Sequence, residues 1–222
     1  AKKWGHNYSV LLKESGYSVG FTSKFPIEVK EKIFEGMHHG ALHCKTNGID
    51  VFVIHFAPGN YKKRREEVKI IFEKLEKVAE SNFKYLVMGD FNSLSPFDAH
   101  LYKNEILLNF MRRANVDKPK TGNLVDNELD FAVISKFLSF PLIDVCQKRT
   151  EGMAQRGSFP GRILSKVNDE TEEKLVSRLQ RIDYILASPE LGRNCVRAEV
   201  YNGEANWYLS DHYPVGAEFK IQ

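Results

Sequence analysis

Residues 49–56 limit the choice of fold more than any other stretch. Ile49, Val51 and Val53 fall on one side of an extended backbone, and Phe52, Ile54 and Phe56 on the other. A strand apolar on both faces belongs inside a layered domain, with packed elements above and below it. Residues 85–88 (Tyr-Leu-Val-Met) read as a second strand of this kind. Asn47-Gly48 is a hairpin signal, and it joins residues 49–56 to a strand that starts at residues 41–44.

Other elements surround these two strands. Residues 8–12 and 17–21 read as short strands about Gly16, and residues 181–187 and 196–201 as further strands. Residues 213–221 alternate, with Tyr213, Val215, Ala217, Phe219 and Ile221 against Pro214, Gly216, Glu218 and Lys220, as a half-buried strand does. Residues 64–81 form the clearest helix, because Val68, Ile71, Phe72, Leu75, Val78 and Ala79 make one stripe. Further helices are expected at about 100–112, with Ser95 capping ahead of Pro96, and at about 128–139. Residues 114–127 read as a loop, and residues 147–176 as a long surface excursion. An α+β domain of two packed sheets with outer helices accommodates this irregular alternation.

Composition excludes several classes. With 42% hydrophobic and 27% charged residues the chain resembles a soluble globule, and no apolar run reaches the ~20 residues that span a bilayer. A net charge of +3 does not by itself argue for nucleic acid. Cys44, Cys146 and Cys195 lie far apart, which speaks against a cysteine zinc site and a disulfide scaffold; Cys44 and Cys146 read as core residues.

Four of the buried strands carry polar residues at or near an end: His55, Asp90 with Asn92, Asp183, and the pair Asp211-His212. Each has a structural explanation alone. His55 is then a satisfied core histidine, Asp90 and Asn92 form an Asx-turn, and Asp183 pairs with Arg181 or Arg178. Taken together they gather acids and imidazoles at one sheet rim. Converging carboxylates repel unless a cation is present, and oxygen donors without cysteine favour Mg²⁺, Mn²⁺ or Ca²⁺. Attack of water on a phosphoryl centre is the chemistry that suits such a set.

Ile54-His55-Phe56-Ala57-Pro58, Gly89-Asp90-Phe91-Asn92, the stretch from Arg181 to Leu186 and Ser210-Asp211-His212-Tyr213-Pro214-Val215 stand in the order of motifs of a known group. They resemble the deoxyribonuclease I-like endonuclease/exonuclease/phosphatase superfamily. That resemblance implies a four-layer α/β/β/α sandwich of two packed mixed β-sheets, with residues 1–222 as one catalytic domain. It implies metal-dependent hydrolysis of phosphodiesters. A phosphomonoesterase or lipid-headgroup phosphodiesterase on the same site, or a catalytically impaired phosphate-binding module, are its alternatives.

The resemblance also implies roles. Asp90 orients or activates the attacking water, and Asn92 holds that water and the phosphate. His212, oriented by Asp183, and His55 stabilise the phosphoryl transition state, while Asp211 is a metal ligand. His39 stands where relatives place a phosphate-binding residue, with a plain turn as its other reading. Phe159-Pro160 resembles a substrate-side loop, or else pins that loop as an apolar anchor. The first strand of the superfamily and its metal-binding Glu have no counterpart here, since Trp4-Gly5-His6 resembles the segment just after them. Glu14 and Glu28 are the nearest acids and match no motif. Mg²⁺, Mn²⁺ or Ca²⁺ is therefore expected to bind weakly or not at all. A phosphodiester, nucleic acid among the candidates, is the expected partner, met by a basic track of residues 62–65 with Arg156 and Arg162. A monomer without protein partners is expected. The compartment stays open, and a start at Ala1 is compatible with export.

Overall fold

The computed structural model describes residues 1–117 and 122–220. The strands are β1 (Tyr8–Leu11), β2 (Gly20–Ser23), β3 (Glu28–Ile33), β4 (Ala41–Thr46), β5 (Ile49–His55), β6 (Tyr85–Asp90), β7 (Leu124–Val125), β8 (Glu128–Leu129), β9 (Ile143–Asp144), β10 (Asp183–Ala187), β11 (Cys195–Val200) and β12 (Val215–Phe219). Six of them form the central mixed sheet in the order β3-β4-β5-β6-β10-β9. Only β5 and β6 run parallel. A parallel pair needs a crossover, and helix α1 (Tyr61–Ala79) supplies it. Helices α2 (Ile106–Asp117) and α3 (Ala132–Ser139) follow.

Both faces of β5 are covered, which accounts for its two-sided apolar sequence. On one face Phe52, Ile54, Val87 and Leu186 pack with Val68, Ile71 and Leu75 of α1 and with Ile134 and Phe137 of α3. On the other, Val51, Val53 and Cys44 pack with Val10 and Phe21 of the β1–β2 hairpin and with Ala198, Val215 and Ala217 of the β11–β12 hairpin. The second β layer is thus two hairpins laid on the central sheet. The architecture is α+β with a central mixed sheet and flanking helices. All three cysteines are buried and free. Among the described residues no helix is long and apolar enough to cross a membrane.

Several boundaries differ from the sequence expectation. Helix α1 starts at Tyr61 because Asn60 accepts the Lys63 N–H and caps it. Ser95 does cap, but it caps a 3-10 helix, Pro96–Tyr102, and the α-helix begins only at Ile106. The expected loop at 114–127 opens as the end of α2 and closes in the β7–β8 hairpin, with residues 118–121 outside the described residues. Helix α3 starts four residues later than expected, at Ala132. Strand β3 escapes the alternation test, since five of its six residues are exposed on a charged sheet edge. Residues 147–176 carry the short helices Gly152–Arg156, Ile163–Asn168 and Glu172–Val176. They do not simply skirt the surface: Arg156 is buried against Asp98 at 2.8 Å. The final strand ends at Phe219, and Ile221 lies outside the described residues.

Candidate active site

Strand register builds the site. His55 ends β5 opposite Asp90, which ends β6, and Asp90 in turn stands opposite Asp183, the first residue of β10. Three neighbouring strands therefore present an imidazole and two carboxylates in one row. Gly89 permits the closest part of this assembly. Its φ is 129°, and a Cβ there would lie 2.1 Å from the Ile54 carbonyl oxygen.

The segment ahead of β12 closes the row. Tyr213 N–H donates to Ser158 O at 2.8 Å, and Gly161 N–H donates to Asp211 O at 2.6 Å. Ser158 Oγ accepts the amides of Ile182 and Asp183 at 3.1 and 3.2 Å, so one serine ties this segment to the start of β10. Held this way, His212 Nδ1–H donates to Asp183 Oδ2 at 2.8 Å, which aims Nε2 away from Asp183. The Phe159 ring packs on His212 with centroids 4.8 Å apart. Phe159 also pairs with Gln180 through its backbone, so it pins its loop as well as facing the site.

The expected Asx-turn is present and does not compete with a chemical role. Asn92 N–H donates to Asp90 Oδ1 at 2.7 Å with Asn92 at φ 47°, and its Nδ2 donates to Phe56 O and Asp90 Oδ2. Asn92 Oδ1 makes no such bond among the described residues. The pairing of Asp183 with Arg181 or Arg178 does not occur. Arg181 is buried and bonds Asp98 and Asp144 instead, and Arg178 bonds Glu170.

His39, His55, Asp90, Asn92, Asp183, Asp211 and His212 all line a single cleft of about 1000 Å³. Asp90, Asp183 and His212 offer ligand atoms within 4.8 Å of one another. Asp211 stands on the cleft wall outside that trio. Its carboxylate accepts the Ser210 hydroxyl at 3.0 Å. Glu14 is exposed and is not part of the wall, and Glu28 pairs with Lys30. His39 is buried and its ring lies 4.0 Å from that of His55, with His38 at 4.3 Å on its other side.

Electrostatics separate the titrating groups. Burial first, and the charge of Asp183 second, push Asp90 up to about 7. Burial opposes charge on His212, but the Asp183 hydrogen bond and the charges of Asp183, Asp90 and Asp211 override it and lift the imidazole to about 9. Burial followed by neighbouring histidines lowers His55 and His39, each to about 4. Near pH 7 His212 is therefore cationic, while His55 and His39 are neutral.

The donor set suits a hard divalent cation. Carboxylate oxygens of Asp90 and Asp183 face each other across paired strands, Asn92 Oδ1 is free among the described residues, and no cysteine lines the cleft. The mutual repulsion that raises Asp90 is what a bound cation relieves.

Most of the expected basic track is engaged elsewhere. Arg64 and Arg156 are buried, Lys63 pairs with Glu66, Arg65 with Asp130, and Arg162 with Glu172 while stacking on Trp207; Lys62 stays exposed. Reading by sequence also missed Glu67. This fully buried carboxylate accepts His38 N–H at 2.6 Å and Ala57 N–H at 2.8 Å, and so fastens the two backbone segments that carry His39 and His55. The available signal was phase: Arg64 and Glu67 fall on the apolar stripe of α1 with Val68, Ile71 and Leu75.

A central mixed sheet with acids and imidazoles converging at one rim is an arrangement able to assist attack of water on a phosphate ester. The model of the Endonuclease/Exonuclease/phosphatase family matches residues 3–212, and the chain belongs to that family. Its fold is similar to an AP endonuclease from Archaeoglobus fulgidus at 20% identity, TM-score 0.66, covering 99% of this chain and 81% of that one. It is likewise similar to the 3′ phosphatase NExo from Neisseria bound to product DNA hairpin, at 17% identity, TM-score 0.68 and the same coverages. The 3′-5′ exonuclease NExo from Neisseria meningitidis matches at 17% identity and TM-score 0.67, over 99% of this chain and 82% of that one. At these identities the likeness is one of fold. No curated protein matches the sequence.

Proposed function

We propose that this chain is a single catalytic domain that hydrolyses phosphodiesters with the help of a divalent cation. The observation that carries the reading is the row His55–Asp90–Asp183 closed by the 2.8 Å bond from His212 to Asp183. Asp90, poised near neutrality, orients water and takes its proton as the water oxygen attacks phosphorus; the ester P–O bond breaks, and the leaving oxygen takes a proton from solvent to depart as an alcohol. Asn92 fixes the Asp90 carboxylate and offers Oδ1 to the same water. His212, a cation held by Asp183, meets the charge that grows on the phosphoryl oxygens. Neutral His55, whose Nε2 lies 3.5 Å from Asp90 Oδ2, and His39 beside it donate hydrogen bonds to the phosphate. Asp90 and Asn92, with Asp211 elsewhere on the cleft lining, would hold Mg²⁺, Mn²⁺ or Ca²⁺, weakly because the ligands are few. When bound, the ion supplies fixed positive charge to the phosphate oxygens.

An open cleft of about 1000 Å³ favours a diester over a monoester, because a diester carries a second organic group that needs room. DNA, the product bound in the Neisseria 3′ phosphatase structure, is one such diester. The test is a comparison of a bis-aryl phosphodiester, an aryl phosphate monoester and a DNA oligonucleotide, each with Mg²⁺ or Mn²⁺ and with chelator. The expected result is cation-dependent turnover that is fastest on diesters. Hydrolysis of none of the three would refute the proposal.

A further inference from the structure

Part of the cleft wall takes no share in the proposed hydrolysis. It is formed by Arg64, Ser93, Phe110, Met111 and Asn123. Arg64 is only 2% exposed, although it lines the cleft. Its NH1 donates to Ala57 O at 3.0 Å and to Asn123 Oδ1 at 2.9 Å. Its Nε is buried without an acceptor, and NH2 makes no hydrogen bond among the described residues. Nearby carboxylates are already committed: Asp130 to Arg65 at 2.7 Å, Glu67 to two backbone amides, and Asp90 to Asn92. A buried guanidinium with idle donors is costly, because its lost hydration is not replaced. Burial lowers Arg64 only to about 10, so it keeps its charge at neutral pH.

A second group in this wall has the same defect. Ser93 Oγ is buried without a partner, while the Ser93 carbonyl serves Tyr184. Asn123, which also lines the cleft, spends its oxygen on Arg64, and its amide N–H groups meet no acceptor among the described residues. A cation, a hydroxyl and an amide without a free acceptor among the described residues make an environment for oxyanions.

We infer that this wall is a second oxyanion subsite, which takes a phosphate or carboxylate that the substrate carries beside the scissile phosphate. Phe110 and Met111 meet the carbon framework between the two anions. The inference rests on the hydrolase reading above and narrows it to substrates with two anionic groups. Two sources supply that chemistry: the adjacent phosphate of a nucleotide chain, or a second anion on a small organic diester.

Two substrate pairs test it in the wild-type protein. One is a thymidine dinucleotide with and without an added 5′-phosphate; the other is an aryl phosphodiester with and without a ring carboxylate. The expected result is a preference of roughly ten- to hundredfold in kcat/KM for the more anionic member of at least one pair, the scale of a charge-assisted hydrogen bond. The pair that shows it identifies the source. Arg64→Met should shrink that preference at least tenfold, and Ser93→Ala should reduce it severalfold. If Arg64→Met does not fold, Ser93→Ala and the wild-type preference decide. Equal rates within both wild-type pairs, or a preference that survives Arg64→Met or Ser93→Ala, would overturn the subsite and leave the hydrolase reading standing. Hydrolysis of no member of either pair would remove both.

Discussion

Asp183 and Asp90 face each other across paired strands and serve opposite ends. Asp183 stabilises charge on His212, whereas its own charge destabilises charge on Asp90. Replacing Asp183 with Asn should therefore pull His212 down from about 9 toward the ordinary ~6.5 of histidine. The alkaline limb of the pH–rate profile should move down with it, and kcat at pH 8 should fall by on the order of 10²-fold or more. A profile with an unmoved alkaline limb would separate His212 from the rate. Asp90→Asn should show the reverse trade, activity lost and stability gained. The folded carboxyl keeps its proton up to about pH 7, whereas the unfolded one keeps it only to ~4, so this group erodes stability as pH rises between those values. In chelator at pH 8, Asp90→Asn should raise Tm by roughly 2–6 °C. An unchanged or lowered Tm would show that Asp90 is not strained in the fold.

Elements decide how those residues meet. Asp98, on the 3-10 helix Pro96–Tyr102, accepts from Arg156 at 2.8 Å and from Arg181 at 2.7 Å, and Arg181 reaches Asp144 of β9. This buried network holds the start of β10, and so Asp183, against the helical segment and the strand beside it. Asp98→Ala leaves two buried guanidiniums short of an acceptor and should cost about 3–5 kcal/mol, read by denaturant unfolding. A cost below about 1 kcal/mol would mean that the network is incidental. The same elements show what was legible in sequence. Residues 49–56 and 85–88 announced themselves because both faces are apolar, and the polar residues at their ends followed from that. β3 stayed hidden because edge strands carry charges on their exposed side, which erases the apolar period. The Arg181 network was invisible because an ion pair between residues 98 and 181 has no local signature. Arg64 and Arg156 looked like surface cations for the same reason, since sequence shows a charge but not what lies against it.

Across the whole molecule, charge distribution matters more than net charge. Arg65, Arg156 and Arg162 are engaged by carboxylates of the chain and Arg64 is buried, so these four do not form a row of cations along which a long phosphate backbone could lie. Binding of a DNA oligonucleotide should then depend weakly on salt, with a log–log slope of magnitude below about 2. A steep slope, of magnitude about 5 or more, would reveal a phosphate track elsewhere on the surface. In the proposed reading the cleft takes one phosphate centre and its immediate neighbour. Asp90, Asp183, His55 and His212 come from four separated segments; the sheet register aligns the first three, and the Ser158 tie and the Asp183 bond bring in His212. The most direct measurement is bis-aryl phosphodiester hydrolysis in Mn²⁺ at pH 7.5 by the wild-type chain and by His212→Ala. Cation-dependent turnover that falls by roughly 10²-fold or more in the variant is the predicted result. Turnover that survives His212→Ala within about threefold would contradict it.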